Sequence, residues 1–209
     1  MQPDWRKVIE QNLDQQSGQR IRSLFKEINP GLVNDKLFES RWSDIRKDAA
    51  VLIPIIDRPE PTVLMTVRSA DMPSHAGQIS FPGGRVHQSD ASRIETALRE
   101  AEEEIGIERT TIDVVGELGI HEGGLGYSVT PVIGLISADC EFTACPREVE
   151  EIFEVPLSFV ANMSNHVTEQ RVHQGVNYNM FAMPYEGFHV WGLTAGILLT
   201  IAEMFPQGR

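Results

Sequence analysis

The stretch from Ser92 to Gly106 constrains the fold of this 209-residue chain more than any other part of the sequence. Ser92 and Glu95 have the spacing of a capping box, and Gly106 stands where a helix C-cap is expected. An apolar stripe at helical spacing runs between them through Leu98, Ala101 and Ile105. The pattern predicts a helix that packs one side against a core.

Three carboxylates share a second face of this helix, because Glu100, Glu103 and Glu104 fall at positions i, i+3 and i+4. Taken alone, such an acidic run is more often a solvated helix face. Like charges at this spacing are destabilising unless a cation offsets them, and hard oxygen ligands suit Mg²⁺ or Mn²⁺. The tight turn at residues 81–85 and the neighbouring Arg99 favour the metal-binding interpretation.

Strand-like segments surround this helix. Residues 49–56 and 62–68 flank turn chemistry and predict a hairpin, and residues 69–91 predict a long irregular loop. Further elements are predicted after the helix: strands at 114–120 and 129–137 around a glycine-rich loop at 121–126, a short strand and helical turn within 148–160, a hairpin at 166–174 and 177–183, and a helix at 192–205. This order predicts an α+β fold with a mixed β-sheet between helices.

The first 45 residues read as polar, helix-prone segments around a break at residues 29–31. We expect residues 1–45 to be an N-terminal helical extension packed on a main domain of residues 46–209. The N-terminus has no apolar signal core, and the longest apolar run is shorter than the roughly 20 residues that a membrane span needs. We therefore expect a cytoplasmic protein whose two cysteines, Cys140 and Cys145, are unpaired.

The charge balance limits the partners of the protein. Eighteen lysine and arginine residues against thirty acidic residues give a formal net charge of −12. An acidic surface repels polyphosphate backbones and anionic membranes, so we expect neither nucleic acid nor membrane as a partner. A phosphate-bearing small molecule would need a local cationic or metal-loaded pocket. The sequence permits a homodimer but does not specify one.

The turn and helix resemble the Nudix box, G-x5-E-x7-R-E-U-x-E-E-x-G-U, where U is aliphatic. Gly84 matches its start, and Arg99-Glu100-Ala101-Glu102-Glu103-Glu104-Ile105-Gly106-Ile107 fits the second half at every fixed position. The first half departs from the pattern because it is one residue longer. Its Glu position falls on Asp90 or Ala91, depending on the direction of counting, and Asp90 is the candidate to take over the role of that Glu.

A narrower resemblance is to the coenzyme A pyrophosphatase subfamily. Residues 64–69 and 77–84 resemble its upstream motif, L-L-T-x-R-S…G-E/Q-V-x-F-P-G-G, and residues 191–198 resemble its C-terminal helix. The resemblance implies a Nudix-type α/β/α sandwich. It also implies metal-dependent hydrolysis of coenzyme A, or its acyl or oxidised derivatives, to adenosine 3′,5′-bisphosphate and 4′-phosphopantetheine.

The resemblance also implies roles for individual residues. The metal ligands for Mg²⁺ or Mn²⁺ would be Glu100, Glu103 and Glu104. The catalytic residues would be Glu103, Glu104, Arg99, which orients the carboxylates, and Glu148, the candidate general base, with Glu150 and Glu151 as rivals. The substrate-binding residues would be Arg68, Gln78, Phe81, Gly83 and Gly84. Two alternatives stay open: a Nudix hydrolase of another nucleoside diphosphate derivative such as ADP-ribose, and a non-catalytic nucleotide-binding sensor.

Overall fold

The computed structural model describes residues 4–32, 47–123, 126–173 and 175–206. In these ranges the α-helices are α1 (Trp5–Gln11), α2 (Ser17–Glu27), α3 (Arg93–Ile105), α4 (Leu157–Ala161) and α5 (Gly192–Met204). The strands are β1 (Lys47–Asp57), β2 (Thr62–Arg68), β3 (Ile79–Ser80), β4 (Gly83–Arg85), β5 (Asp113–Glu117), β6 (His121–Gly123), β7 (Tyr127–Ser137), β8 (Val149–Pro156), β9 (Val167–His173), β10 (Val176–Tyr185) and β11 (Phe188–Trp191).

Strands β1 to β8 form one mixed sheet. Strands β1 and β7 run parallel over their whole length, and the other pairings are antiparallel. Strand β2 pairs with β1 on one edge and with β8 on the other. The predicted hairpin of β1 and β2 is confirmed, with Ile55 opposite Val63 and Ile56 opposite Thr62.

Strands β1 and β2 change partners outside this short pairing. The first half of β1 pairs with β4, where Val51 lies opposite Gly83, and the second half of β2 pairs with β3, where Val67 lies opposite Ile79. The segment predicted to be irregular, residues 69–91, therefore contributes two short strands. They fix the diglycine turn beside the start of β1 and close to the end of β2, where Arg68 stands.

The sheet lies between two layers of helices. One face packs on α3, through a cluster that includes Leu52, Ile56, Ala97, Ala101 and Ile105. The other face packs on α5, through a cluster that includes Ile53, Ile55, Met65, Ile197 and Leu198. Alternate residues of β1 thus serve opposite cores, and burial of each large aliphatic side chain contributes roughly 1.5–3 kcal/mol. The predicted α+β class, an α/β/α sandwich with a mixed sheet, is confirmed.

Strands β9, β10 and β11 form a second, antiparallel sheet with β10 in the centre. The predicted hairpin of β9 and β10 is confirmed around Gly175; residue 174 lies outside the described residues. Strand β11 was not predicted. Its Phe188 stacks on Phe153 of β8 with ring centroids 3.8 Å apart, so one face of the second sheet packs on the first.

The N-terminal helices pack on the rest of the chain. Arg20 of α2 binds Glu203 of α5 at 2.7 Å, and Asn29 exchanges hydrogen bonds with the backbone of Asn179 in β10. Residues 4–32 contain α1 and α2, and residues 1–3 and 33–45 of the predicted extension lie outside the described residues. Residues 124 and 125 of the predicted glycine-rich loop also lie outside them, and residues 121–123 of that loop form β6 instead.

Two further findings concern the thiols and the helices. Both Cys140 and Cys145 are free. Within the ranges given above, every helix is too short or too polar to cross a membrane.

Candidate active site

Helix α3 presents the acidic residues at its C-terminal half. The Ser92 hydroxyl accepts a hydrogen bond from the Glu95 N–H at 3.1 Å, and Gly106 ends the helix with a φ of 72°, as the sequence predicts. The three carboxylates differ in exposure. Glu100 and Glu104 are buried, whereas the Glu103 side chain is 53% exposed. Two of the three therefore face the sheet, where a carboxylate needs a compensating partner.

Arg99 holds this cluster together. Its side chain is only 12% exposed, and one terminal nitrogen donates to Glu100 Oε1 at 2.8 Å and to Glu103 Oε2 at 3.2 Å. The other terminal nitrogen donates to the backbone oxygen of Arg85 at 3.1 Å. The guanidinium is thus fixed between the helix and β4, and it orients two carboxylates at once.

Asp90 anchors Arg99 from the other side. Its carboxylate accepts two hydrogen bonds from the guanidinium, one from Thr96 Oγ1 at 2.8 Å and one from the His87 N–H at 2.9 Å. The Arg99 guanidinium, together with these donors, holds the pKa of Asp90 well below its usual range. Thr96 is a supporting residue that sequence reasoning missed, although it lies one helical turn before Arg99 on the same face.

Gly84 lies directly against Glu100. A Cβ atom at position 84 would stand 2.5 Å from Glu100 Cδ, so only glycine leaves room for this carboxylate. Burial raises the pKa of Glu100, Arg99 opposes that rise, and the charges of Glu103 and Glu148 add to it. The diglycine turn therefore contributes space for a carboxylate rather than a side chain of its own.

Glu104 is the most deeply buried acid of the site, with 2% of its side chain exposed. Burial raises its pKa to about 8, against the opposing effects of Arg68 and of the Gly83 N–H. The Arg68 guanidinium lies 3.8 Å from Glu104 Oε1. Within the described part of the chain, Glu104 Oε2 and Arg68 Nε have no hydrogen-bond partner. The Glu104 carboxyl group and the Arg68 guanidinium thus lie next to each other beside the turn, and each has an unused hydrogen-bonding atom.

Glu148 joins the same cluster from the start of β8. It is half-buried, its charge raises the pKa of both Glu100 and Glu104, and its backbone oxygen accepts from the Ser69 N–H at 2.9 Å. Glu150 and Glu151 are exposed on the strand that follows. Of the three downstream acids that the sequence proposes as general base, Glu148 is the one that the fold brings to the box carboxylates.

The donor set suits a hard divalent cation. Two desolvated carboxylates, and a buried Glu104 Oε2 that has no partner among the described residues, are features that Mg²⁺ or Mn²⁺ would satisfy. Throughout the described ranges, however, no three His, Cys, Asp or Glu side chains converge closely enough to form a ligand set. Glu103 instead bonds to Arg99. Glu100, Glu103 and Glu104 thus fit Mg²⁺ or Mn²⁺ by the type of ligand atom they offer, carboxylate oxygen.

The predicted substrate-binding residues divide into two groups. The Arg68 N–H donates to the Gln78 backbone oxygen at 2.9 Å, so Gln78 lies next to Arg68. The Gln78 side chain bonds to His75 Nδ1 at 2.7 Å. Phe81, by contrast, is 2% exposed within the apolar cluster beneath the sheet. Its position makes it a packing residue that supports the turn, rather than a group that touches substrate.

His121, the first residue of β6, belongs to the core. It is almost fully buried, with Nδ1 2.8 Å from the Gly119 oxygen and Nε2 3.1 Å from Thr200 Oγ1. Burial lowers its pKa to about 4, so the ring is neutral at neutral pH. It ties β6 to α5.

Sequence comparisons relate the chain to known proteins. Residues 46–156 match the NUDIX domain family. The chain is 42% identical over 162 residues to the uncharacterized Nudix hydrolase NudL of Yersinia pestis (strain Pestoides F), a match that covers 78% of this chain and 81% of that protein. The same figures hold for NudL of Yersinia pseudotuberculosis serotype I (strain IP32953).

Solved structures give more distant matches. The Nudix hydrolase RenU from M. smegmatis superimposes with a TM-score of 0.45 at 24% identity, over 56% of this chain and 74% of that one. A MutT/nudix family protein from Enterococcus faecalis superimposes with a TM-score of 0.47 at 12% identity, over 87% of this chain and 72% of that one.

Nudix hydrolases act on pyrophosphate bonds of small nucleotide-type molecules and generally use divalent metal ions such as Mg²⁺ or Mn²⁺. The domain match spans the residues that build the site described above, and the 42% identity to NudL extends over 162 residues. The chain therefore belongs to the Nudix hydrolase family.

Proposed function

We propose that this Nudix hydrolase cleaves the diphosphate bond of coenzyme A and of its acyl or oxidised derivatives. The products would be adenosine 3′,5′-bisphosphate and 4′-phosphopantetheine. The sequence support is the upstream motif, residues 64–69 and 77–84, which resembles that of coenzyme A pyrophosphatases.

The contact between Arg68 and Glu104 carries the proposal. Arg68 belongs to the upstream motif, Glu104 to the box, and their charged groups lie 3.8 Å apart. The motif also ends in Gly83 and Gly84, which lie against Glu104 and Glu100. A planar guanidinium with an unused Nε–H suits a phosphate oxygen, because arginine binds phosphate through parallel hydrogen bonds. These contacts support a common site for the upstream motif and the acidic cluster.

Each residue of the cluster has a distinct part in the proposed reaction. Glu100, Glu103 and Glu104 would hold Mg²⁺ or Mn²⁺, and Arg99 would keep Glu100 and Glu103 oriented. The chemistry that the ion supplies when bound is neutralisation of charge on the diphosphate and a lower pKa for the attacking water. Arg68 would bind an oxygen of the 3′-phosphate, which coenzyme A carries and ADP-ribose lacks.

Proton transfer falls to Glu148 in this proposal. Water that attacks phosphorus must lose a proton, and a carboxylate within reach of the acidic cluster can accept it. Glu148 is half-buried and its charge acts on both Glu100 and Glu104, which supports this role over exposed Glu150 and Glu151.

The experiment is a panel of diphosphate substrates with product identification by mass spectrometry. Coenzyme A, ADP-ribose and a diadenosine polyphosphate are compared with and without Mg²⁺ and Mn²⁺. We expect the highest kcat/KM for coenzyme A, and loss of turnover in Glu103→Gln. Normal turnover in that variant would remove Glu103 from the metal assignment. Binding of nucleotides without cleavage of any substrate would favour the sensor.

Arg68 separates coenzyme A from the other substrates. We expect Arg68→Ala to lower kcat/KM for coenzyme A by at least about tenfold, since a charged hydrogen bond contributes roughly 1.5–3 kcal/mol. Cleavage of ADP-ribose should change little. Arg58→Ala is the matched control, because Arg58 pairs with Glu154 elsewhere on the sheet. Equal losses on both substrates would favour a Nudix hydrolase of another nucleoside diphosphate derivative.

A further inference from the structure

The second sheet has an open edge at β9. Strand β9 pairs with β10 on one side, and in the part of the chain that the structure describes no strand pairs with its other side. The edge is accessible: Val172 is 67% exposed and Val167 is 40% exposed. Such an edge carries unpaired N–H and C=O groups and is a template for another strand.

The sequence of this edge is complementary to itself. Strand β9 reads Val-Thr-Glu-Gln-Arg-Val-His, with Gln170 at its centre. Glu169 and Arg171 flank that centre on one face, and within one protomer their charged groups lie 3.2 Å apart. Thr168 and Val172 flank it on the opposite face. Opposite charges and β-branched side chains therefore stand at equal distances on either side of Gln170.

We propose that two copies of this chain form a homodimer by antiparallel pairing of β9 with β9 about a two-fold axis at Gln170. Glu169 then lies opposite the partner's Arg171, and Arg171 lies opposite the partner's Glu169. Each charge has an opposite charge both along its own strand and across the interface. Such cross-strand pairs stabilise a sheet, and a two-fold interface repeats each of them.

The charges select this register. A shift of the two-fold centre by one residue toward the N-terminus puts Glu169 opposite the partner's Glu169. A shift by one residue toward the C-terminus puts Arg171 opposite the partner's Arg171. Like charges directly opposite each other are destabilising, so both neighbouring symmetric registers are disfavoured.

The backbone supports the same register. Two residues separate His173 from its partner Val176 in the hairpin, so this pair and every second pair beyond it use their N–H and C=O groups within the hairpin. Thr168, Gln170 and Val172 consequently direct theirs outward. In the proposed register these are the residues that meet one another, with Thr168 opposite the partner's Val172.

The interface is small. One seven-residue strand on each side buries less than the 1,200–2,000 Å² that stable complexes bury, so the dimer should dissociate on dilution. Pairing would cover Val172 with the partner's Thr168 and join two three-stranded sheets into one of six strands. The proposal concerns assembly and is independent of the substrate.

Sedimentation equilibrium over a wide concentration range tests the charge pairing. The wild-type chain should pass from monomer to dimer as the concentration rises. Glu169→Arg alone and Arg171→Glu alone should each remain monomeric, because each places like charges opposite one another. A mixture of the two single variants should form a heterodimer, and the double variant E169R/R171E should dimerise again. A wild-type chain that stays monomeric, or single variants that dimerise as it does, would overturn the proposal.

Amide hydrogen exchange tests the backbone pairing. Raising the concentration should slow exchange at Thr168, Gln170 and Val172, while Glu169 and Arg171 exchange slowly at every concentration. Gln170→Pro removes an outward N–H at the two-fold axis, a substitution that an edge strand tolerates. It should abolish the dimer and leave the thermal midpoint of the monomer nearly unchanged. The proposed β9 pairing would be contradicted if exchange at Thr168, Gln170 and Val172 did not depend on concentration. Dimerisation of the proline variant would contradict it as well.

Discussion

Arg99 and Asp90 form a two-point ion pair, with Nε 3.1 Å from Oδ1 and a terminal nitrogen 3.0 Å from Oδ2. Both side chains are largely buried: Asp90 is 4% exposed and Arg99 is 12% exposed. Because the same guanidinium binds Glu100 and Glu103, the pair couples the loop before α3 to the acidic cluster.

We expect Asp90→Asn to lower both activity and stability. Loss of the charged hydrogen bonds should cost about 1–3 kcal/mol of unfolding free energy, and a freer Arg99 should lower kcat more than it raises KM. Chemical denaturation and steady-state kinetics measure the two effects. Asp139→Asn, at an exposed loop position, is the control. If Asp90→Asn behaves like that control, Asp90 does not position Arg99.

Alanine substitutions at Gly83 and Gly84 should have different effects on stability and activity. A Cβ at position 84 meets the end of a flexible side chain, Glu100, whereas a Cβ at position 83 meets the Ala50 oxygen at 2.5 Å and the Val51 backbone. We therefore expect Gly84→Ala to displace a carboxylate and lose most activity with a small change in thermal midpoint. Gly83→Ala should instead destabilise the fold by about 1–3 kcal/mol.

Thermal melts and Mg²⁺ titrations of activity separate these outcomes. Gly31→Ala is the matched control, because a Cβ there has no atom within 4 Å. Equal losses of stability in the two variants would mean that Gly84 is needed for backbone packing in the sheet rather than to leave room for the Glu100 carboxylate.

Local patterns predicted much of the fold. The caps at Ser92 and Gly106, the turn between β1 and β2 and the apolar stripe of α3 are short-range signals, and the structure bears them out. Strands β3, β4 and β11 have two to four residues, too few to display a period of two. Their existence depends on strands that are distant in the sequence, so it could not be predicted from local patterns.

For the candidate site too, sequence patterns predicted local spacing but not the burial that tertiary packing imposes. Helical spacing placed Glu100, Glu103 and Glu104 on one face and assigned them one environment. The structure buries Glu104 and leaves Glu103 exposed, because the diglycine turn covers only part of that face. Phe81 illustrates the converse: an aromatic residue in a motif was placed at the substrate, whereas the sheet makes it part of the core.

Buried His121 should make stability depend on pH. Its pKa of about 4 in the folded protein lies below the unfolded value of 6.5, so only the unfolded chain binds a proton between these values. Stability contributed by the neutral ring is complete above about pH 6.5 and falls as the pH drops toward 4, by about 3 kcal/mol at most. Urea unfolding of wild type and His121→Asn at several pH values measures the difference. A variant with the same slope as wild type would contradict this assignment.

The N-terminal helices should depend on one close contact. A Cβ at Gly18 of α2 would stand 2.5 Å from the carbonyl carbon of Ile120, and neither backbone can yield without moving a helix or strand. We expect Gly18→Val to undock α2, break the Arg20–Glu203 ion pair and lower the unfolding free energy by about 1–3 kcal/mol. Limited proteolysis should then cut within the first 32 residues. Resistance equal to that of Gly31→Ala would mean that docking of this extension does not rest on Gly18, and the extension would have to be held by its ion pairs instead.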